Sequence, residues 1–492
     1  MKLTLQQLRA IWSGKSSLTL DAADYQRIDA SAAAVTKALA TGAALYGINT
    51  GFGKLASKRI DADQLEQLQR NLVLSHAVGV GPELGERVVR LAMAIKVVTL
   101  AAGRSGVRRV VVDTLAKLLA ANALPIIPAQ GSVGASGDLA PLAHMSCAII
   151  GEGDVRLNGE KISASDALKR IGCQPVVLGP KEGLALLNGT QVSTALALDA
   201  LFRAQDVFDA ALVSGAMSTD AMKGSDAPFD ERIHTARGQK GQIEVAARLR
   251  ALMDGSDIRK SHLTGDDRVQ DPYSIRCQPQ VMGACLDVLN SAAATLEIEA
   301  NAVTDNPLVF AEDDAILSGG NFHAEPVAFA ADMISMAAAE IASISERRLA
   351  VLIDPVLSGL PAFLVKEGGL NSGFMILQVT AAALVSENKT LAHPAVVDTI
   401  PTSANQEDHV SMATFAGRKA GDIARNAANV ISIELLAAAQ GLDFHAPLKT
   451  SQALQQALAK VRSVSANMER DRSLAGDIAR VSDLIEAGAF AP

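Results

Sequence analysis

The stretch Gly131-Ser-Val-Gly-Ala-Ser-Gly-Asp-Leu-Ala-Pro141 decides how the rest of this chain is interpreted. Three of its first seven residues are glycine, and glycine tolerates positive φ and the close approach of another backbone segment. Its centre, Ala135-Ser136-Gly137, has almost no side-chain bulk and is ordinarily a flexible turn. In a tighter fold the Gly137 nitrogen can attack the Ala135 carbonyl carbon. Loss of water from the ring and from Ser136 then leaves a methylene group conjugated to a carbonyl, an electrophile that no coded side chain supplies.

The composition indicates a large, mostly helical protein. A chain of 492 residues exceeds the usual size of one hydrophobic core and is expected to form two or more domains. Hydrophobic residues make up 49% of it and aromatic residues only 3%, so most of the apolar surface belongs to aliphatic side chains. Alanine runs at residues 32–34 and 381–383 favour helices because alanine has the highest helix propensity.

The net charge and the pattern of apolar residues argue against several classes of protein. The formal net charge is -8 and the basic residues are interspersed with acidic ones, so we expect no nucleic-acid partner. Residues 1–9 lack the apolar core of a signal peptide. The longest apolar stretch, residues 368–386, contains glycine, asparagine and glutamine, which predicts a buried helix preceded by a loop instead of a membrane span. The sequence therefore predicts a cytoplasmic protein without membrane contact.

The cysteine and histidine spacing gives no indication of a metal site. Cys147, Cys173, Cys277 and Cys285 include no C-x-x-C pair, and no histidines cluster at metal-ligand spacing. We therefore expect reduced cysteines and no bound metal.

Residues 131–144, Gly-Ser-Val-Gly-Ala-Ser-Gly-Asp-Leu-Ala-Pro-Leu-Ala-His, resemble the active-site loop of the aromatic amino acid ammonia-lyases. In that family the Ala-Ser-Gly tripeptide cyclises autocatalytically to 4-methylidene-imidazol-5-one (MIO). The resemblance therefore implies that Ala135, Ser136 and Gly137 form MIO and that no dissociable cofactor is required.

The resemblance also implies the architecture. We expect a mainly α fold, a long antiparallel helical bundle of the ammonia-lyase/fumarase type, with small β excursions in the N-terminal part. Asn158-Gly159 between apolar residues predicts one such hairpin. An N-terminal domain over residues 1–196 would carry the MIO loop, and residues 197–492 would form the long-helix bundle and a C-terminal helical region. The family further implies a homotetramer with active sites shared between subunits.

A glycine-rich segment, residues 45–53, places a tyrosine in a loop. Such a tyrosine is commonly a surface anchor, but mobile glycine-rich loops also bring catalytic groups over a substrate. The segment resembles the family loop that carries the catalytic base, and Tyr46 matches that base.

Two dipeptides indicate the substrate. Ser75-His76 resembles the histidine enzymes of the family, whereas His-Leu and Phe-Leu are typical of the tyrosine and phenylalanine enzymes. Gln406-Glu407 is the histidine-type pattern in a segment that lines the pocket. An imidazole would pair with His76 and Glu407, whereas a phenyl ring would leave both unpaired. The resemblance thus implies L-histidine as the substrate, with Glu407 in both the catalytic and the substrate-binding sets.

Five further residues match pocket positions of the family. Asn188, in an Asn-Gly pair that is ordinarily a turn, matches a residue near MIO and the substrate carboxylate. A polar cluster places Gln270, Tyr273 and Arg276 in the site, with Tyr273 in the catalytic set and Arg276 as the fork that holds the carboxylate. Phe322 matches the phenylalanine packed against the cofactor.

One segment departs from the family pattern. Gln239-Lys240 stands where the family usually has His-Pro, whereas the next two residues agree. The departure affects the expected packing of this loop and leaves the expected reaction unchanged.

The implied reaction is the non-oxidative elimination of ammonia from L-histidine to give trans-urocanate, the first step of histidine degradation. The substrate amine adds to the MIO methylene, and Tyr46 removes the β-proton as general base. Three alternatives stay open: a tyrosine or phenylalanine ammonia-lyase, an MIO-dependent aminomutase that returns ammonia to the β-carbon, and a non-catalytic helical scaffold.

Overall fold

The computed structural model describes residues 1–55, 57–266 and 268–491. Helices account for 61% of the chain and strands for 6%, so the prediction of a mainly α fold with small β excursions is confirmed. In the described residues the α-helices are α1 (Leu5–Trp12), α2 (Ala22–Ala40), α3 (Leu65–His76), α4 (Glu86–Ala101), α5 (Arg109–Ala120), α6 (Leu139–Ile149), α7 (Ala164–Arg170), α8 (Glu182–Leu187), α9 (Gln191–Ala221), α10 (Glu231–Arg237), α11 (Lys240–Met253), α12 (Asp257–Lys260), α13 (Tyr273–Arg276), α14 (Gln278–Ala300), α15 (Glu325–Ile353), α16 (Pro355–Ser358), α17 (Met375–Leu391), α18 (Ala413–Asp443), α19 (Gln452–Val464) and α20 (Ala475–Glu486).

The strands form three small antiparallel sheets. They are β1 (Val80–Glu83), β2 (Leu124–Pro125), β3 (Pro128–Gln130), β4 (Asp154–Leu157), β5 (Glu160–Ser163), β6 (Leu308–Phe310) and β7 (Ala315–Leu317). The pairs are β1 with β3, β4 with both β2 and β5, and β6 with β7. The predicted Asn158-Gly159 hairpin is confirmed: the two turn residues have φ of 53° and 81°, as a two-residue hairpin turn requires.

The chain divides into two compact units. Unit 1 contains Met1–Asp199, Ala293–Asp332 and Pro394–Arg418, and unit 2 contains Ala200–Ala292, Met333–His393 and Lys419–Pro492. The domain boundary predicted at residue 196 stays a prediction.

Unit 1 is built around the buried helix α4. Every residue from Leu91 to Ala101 is buried, and this part of the helix is apolar on all sides except for Lys96 and Thr99. A helix with apolar residues all round belongs in a protein core. Elsewhere in unit 1, the helices α3, α6 and α8 pack against one another, and the ends of these three helices carry the site described below.

Unit 2 has a polar centre within its helical core. Glu434 on α18 pairs with Arg348 on α15, and both side chains are fully buried. The Arg348 guanidinium donates to both carboxylate oxygens of Glu434, at 2.5 and 2.7 Å. Hydroxyl groups of Ser214, Ser218 and Ser345 donate to the same carboxylate at 2.6–2.7 Å. The charge is thus compensated, as a buried carboxylate must be.

The apolar stretch at residues 368–386 differs from its predicted environment. Its helix, α17, begins at Met375, but only Ala381, Val385 and Asn388 are buried. Ile376 and Val379 are 61% and 52% exposed. The prediction that this helix is buried is therefore wrong for a single copy of the chain. The pattern of apolar residues predicts that a helix surface is covered, but it does not identify what covers that surface.

Two other helices are long and apolar enough to cross a membrane by length and composition alone. They are α14 and α15, whose most apolar windows are 39% and 67% buried. The core helices of globular proteins pass the same test, so length and composition alone do not assign either helix to a membrane.

Candidate active site

Three helix ends in unit 1 bring distant segments together. Helix α3 ends at His76, α6 begins directly after the glycine-rich loop with Asp138 as its N-cap, and α8 ends with Asn188 as its C-cap. Because α3, α6 and α8 pack against one another, their termini place these three residues around the Ala135-Ser136-Gly137 segment.

The tripeptide is held against the Asn188-Gly189 turn. The Nδ2 amide of Asn188 donates to the Ser136 carbonyl at 2.9 Å, and the Asp138 N–H donates to the Gly189 carbonyl at 2.8 Å. Gly137 has φ of 74°, and a Cβ atom there would lie 2.2 Å from the Gly189 oxygen. Only glycine fits this position, because any Cβ would collide with backbone that is itself fixed.

Lys96 lies behind this turn and was not predicted from the sequence. Its fully buried Nζ donates to the Asn188 carbonyl at 2.8 Å and to Gln191 Oε1 at 3.4 Å. Burial lowers the pKa of the Lys96 ammonium from 10.5 to about 7. A single lysine within the apolar stretch from Leu91 to Val98 was the available signal, since lysine is almost never fully buried without a specific partner.

Asp138 is the second buried charged group beside the loop. Its carboxylate accepts from the Ser193 N–H at 2.6 Å, the Ser193 hydroxyl at 2.5 Å and the Thr414 hydroxyl at 2.9 Å. The Ser132 hydroxyl donates to it at 3.1 Å. Burial raises the pKa of Asp138, whereas these four hydrogen bonds lower it. This network fixes the loop to the helices on either side of it.

Ser136 faces two adjoining cavities of about 510 and 440 Å³, a size that suits a small-molecule site. Both cavities are also lined by Tyr46 and Glu407. Phe322 and His323 line the first, which is the more polar, and His76 and Asn188 line the second. The structure therefore brings together all the predicted site residues that belong to unit 1.

Glu407 contacts the loop directly. The Ser136 hydroxyl donates to Glu407 Oε1 at 2.6 Å, and the Thr402 hydroxyl donates to Oε2 at 2.6 Å. The backbones of Thr402 and Glu407 also bond to each other, at 2.9 and 3.3 Å. Each of the two Glu407 carboxylate oxygens thus accepts a hydrogen bond from a different hydroxyl group.

The orientation of His76 follows from its backbone contact. Its Nδ1 lies 2.8 Å from the Leu72 carbonyl, which can only accept a hydrogen bond, so Nδ1 carries the proton in the neutral ring. Nε2 is then left as an acceptor in the cavity. A donor on a bound ligand is what this nitrogen can recognise.

Tyr46 lies in the loop that the sequence predicted. The Gly53 N–H donates to its phenolic oxygen at 3.4 Å, and the Phe52 ring stands edge-on to it, with centroids 6.5 Å apart.

Gln270, Tyr273 and Arg276 belong to unit 2. Gln270 and Arg276 line a cavity of about 470 Å³ within that unit, and Tyr273 is 71% exposed. The Arg276 guanidinium lies 4.7 Å from the centroid of the Tyr273 ring. Among the described residues no carboxylate pairs with Arg276, and its buried Nε has no hydrogen-bond acceptor. It is therefore suited to bind an anionic group from outside the chain.

The departure at Gln239-Lys240 lies at the start of α11. Gln239 is the N-cap without a side-chain hydrogen bond, and both residues are exposed. The neighbouring Gly241 N–H bonds the Asp287 carboxylate at 3.0 Å. The helix start is thus stabilised without the residues that the family usually has there.

Comparisons with known proteins extend the likeness over the whole chain. A family model described as aromatic amino acid lyase matches residues 3–463. A histidine ammonia-lyase of Burkholderia pseudomallei (strain 668) is 61% identical over 490 residues, which cover 100% of this chain and 96% of that protein. The crystal structure of histidine ammonia-lyase from Trypanosoma cruzi has a TM-score of 0.92 at 43% identity and covers 99% of this chain and 92% of its own. Tyrosine aminomutase from Streptomyces globisporus has a TM-score of 0.94 at 35% identity and covers 99% and 96%.

Proposed function

This chain belongs to the aromatic amino acid lyase family, and we propose that it eliminates ammonia from L-histidine to give trans-urocanate. The observation that carries the substrate assignment is the pairing of His76 and Glu407 around one cavity that also contains Ser136. A phenyl ring would leave both polar side chains without a partner, and a site built for a hydrogen-bonding ring rejects one that lacks it by as much as ~10⁴-fold.

The residues around Ser136 fit the cyclised tripeptide on which the family depends. Gly137 has no room for a Cβ, because the Gly189 backbone packs directly against it. The Asn188 carboxamide donates a hydrogen bond to the Ser136 carbonyl. We propose that Ala135, Ser136 and Gly137 form MIO, which supplies an electrophilic methylene for the amino group of the substrate. No dissociable cofactor enters this scheme.

The roles of the remaining residues of unit 1 follow from their contacts. Tyr46 removes the β-proton, because it is the phenol that lines both cavities. Asn188 Oδ1 is buried without a partner among the described residues, so it is available to a donor on the substrate. Phe322 forms an apolar wall of the first cavity.

We propose that the site is completed in a homotetramer. Arg276 is free to bind the substrate carboxylate, with Gln270 beside it and Tyr273 over its guanidinium. On this proposal these three residues act in the site of a partner subunit. The exposed apolar side chains of α17 support assembly, since contiguous apolar patches commonly mark protein interfaces. We also propose a cytoplasmic location and no nucleic-acid or membrane partner.

The assay is the release of ammonia and the appearance of urocanate absorbance on incubation with L-histidine. Ser136→Ala should lose both this activity and the near-ultraviolet absorbance of the conjugated ring. Faster release of ammonia from L-tyrosine or L-phenylalanine would overturn the substrate assignment. Recovery of a β-amino acid in place of urocanate would identify an aminomutase, and no product at all would leave the scaffold alternative.

A matched pair of variants tests the recognition of the ring. His76→Leu should lower kcat/KM for L-histidine by ~10²-fold or more, because the acceptor for the imidazole is lost. Glu66→Gln, an exposed change on the same helix, should have no effect. Equal rates in the two variants would exclude His76 from the site.

Complementation tests the shared site. Ser136→Ala and Arg276→Met should each be inactive when expressed alone. Mixed oligomers of the two should regain part of the activity if Arg276 serves a partner subunit, because some sites then have both intact residues. Failure of the mixed oligomers to regain activity would contradict a shared site without affecting the assignment of the reaction.

A further inference from the structure

Two histidines and a glutamate, side chains of types that can ligate metals, lie together beside the first cavity of unit 1. His323 lies in the loop that precedes α15, Glu325 is the first residue of α15, and His409 comes two residues after Glu407. One donor atom from each of the three lies within 4.8 Å of the others. His323 and His409 line the cavity that also contains Ser136.

The hydrogen bonding of His323 leaves one ring nitrogen available to a cation. Nε2 lies 3.2 Å from the backbone carbonyl of His409, which can only accept, so Nε2 carries the proton in the neutral ring. Nδ1 then has its lone pair free and lies 3.8 Å from Glu325 Oε2. A ligand imidazole that donates its other N–H to a carbonyl is the usual arrangement at metal sites.

Glu325 supplies an independent observation. Its Oε2 is buried and has no hydrogen-bond partner among the described residues. A buried carboxylate oxygen facing an imidazole lone pair at 3.8 Å is unfavourable unless a positive charge lies between them. A divalent ion about 2.1 Å from each atom spans this separation.

We propose that His323, Glu325 and His409 bind a divalent transition-metal ion of the zinc type at the rim of the active-site cavity. Two imidazoles and one carboxylate suit zinc and its neighbours better than calcium or magnesium, which prefer oxygen ligands. Three protein ligands leave a coordination position for water. The spacing in the sequence did not reveal the site, because 86 positions separate His323 from His409.

The ion would join two segments of unit 1. His409 belongs to the segment that carries Glu407, and Glu325 begins α15 and follows Phe322 closely in the chain. Metal binding therefore fixes the Glu407 segment relative to the start of α15. This consequence is independent of the substrate proposed above.

The binding experiment uses the full-length protein, freed of metal with a chelator and titrated with ZnCl₂ at pH 7.5. One Zn²⁺ should bind per chain, and the midpoint of thermal unfolding should rise on binding. His409→Ala should weaken binding by ~100-fold or more, and because this side chain is exposed, folding should be unaffected. His393→Ala, another exposed histidine outside the cluster, should bind Zn²⁺ as the parent does.

Two further measurements identify the ligands. Glu325→Gln keeps the side-chain shape but removes the charge, and it should weaken Zn²⁺ binding to a similar extent. Substitution with Co²⁺ should give visible d–d bands without thiolate charge transfer, since the cluster contains no cysteine. Zinc affinity that is equal in the parent, His409→Ala and Glu325→Gln proteins would overturn the proposal, as would a thiolate band.

The pH dependence separates a metal from a proton. Metal binding competes with protonation of the imidazoles, so the rise in unfolding midpoint caused by Zn²⁺ should disappear at pH 5. If Zn²⁺ produces no rise in the unfolding midpoint at pH 7.5, the proposal is wrong.

Discussion

Replacing Lys96 by methionine gives a direct test of the support behind the Asn188-Gly189 turn. The fully buried Lys96 Nζ donates to the Asn188 carbonyl at 2.8 Å, and burial lowers the pKa of its ammonium from 10.5 to about 7. Methionine fills nearly the same space without a charge or a donor. Lys96→Met therefore removes both the hydrogen bond to the Asn188 carbonyl and the ammonium group whose pKa is lowered.

The effect of pH on this variant follows from proton linkage. Between pH 7 and 10.5 the unfolded chain keeps the Lys96 proton and the folded chain loses it, so the free energy of unfolding rises with pH by up to about 1.4 kcal/mol per unit. Below pH 7 both states hold the proton, and this slope disappears. From pH 7 to pH 9 the parent should gain about 2 kcal/mol that Lys96→Met does not gain. The lost hydrogen bond to the Asn188 carbonyl costs a further ~1–3 kcal/mol at every pH.

Thermal unfolding at pH 7, 8 and 9 measures this difference. At about 1 °C per kcal/mol for a chain of this length, the difference in midpoint between parent and variant should widen by about 2 °C over this range. Lys169→Met provides the control, because Lys169 is 70% exposed and its difference from the parent should stay constant. A Lys96→Met difference that does not change with pH would show that the buried ammonium titrates as it does in water.

Three other substitutions test the loop, the base and the core of unit 2. Gly137→Ala places a Cβ 2.2 Å from the Gly189 oxygen and should abolish the near-ultraviolet absorbance of the cyclised loop; retained absorbance would contradict the close approach. Tyr46→Phe should lower kcat by ~10²- to 10⁴-fold and leave that absorbance intact, and unchanged turnover would exclude Tyr46 as the base. Arg348→Met leaves the Glu434 carboxylate buried without its cation and should destabilise the protein by ~3–5 kcal/mol, measured as denaturant unfolding; adding Glu434→Gln should restore part of the loss, and a neutral single variant would refute the ion pair.

The parts of the site that sequence could predict are those with local signals. The glycines around Ser136 report a backbone that must bend, and the structure gives the physical reason in the positive φ of Gly137. Asn158-Gly159 specifies a hairpin turn by its own conformational preference. Tyr46 and Asn188 were identified through the family resemblance, and both line cavities that contain Ser136.

What could not be predicted depends on contacts between distant residues. The burial of Lys96 and its bond to the Asn188 carbonyl join positions 92 residues apart, and no local pattern encodes that distance. The same holds for the exposed face of α17, whose apolar residues satisfy the pattern of a buried helix while only three of its residues are buried. Periodicity reports that a surface is apolar but not what covers it.

The contact between Ser136 and Glu407 links formation of the electrophile to selection of the substrate. Before cyclisation, the Ser136 hydroxyl donates a hydrogen bond to Glu407 Oε1, and the Thr402 hydroxyl donates one to Oε2. The proposed loss of water from Ser136 removes the hydroxyl, so Oε1 loses its donor while the other oxygen stays fixed. A charged oxygen in this position needs a new donor, and the N–H of an imidazole supplies one whereas a phenyl ring does not. On the proposed function, the same dehydration that creates the reactive methylene thus also creates the acceptor that favours histidine over phenylalanine.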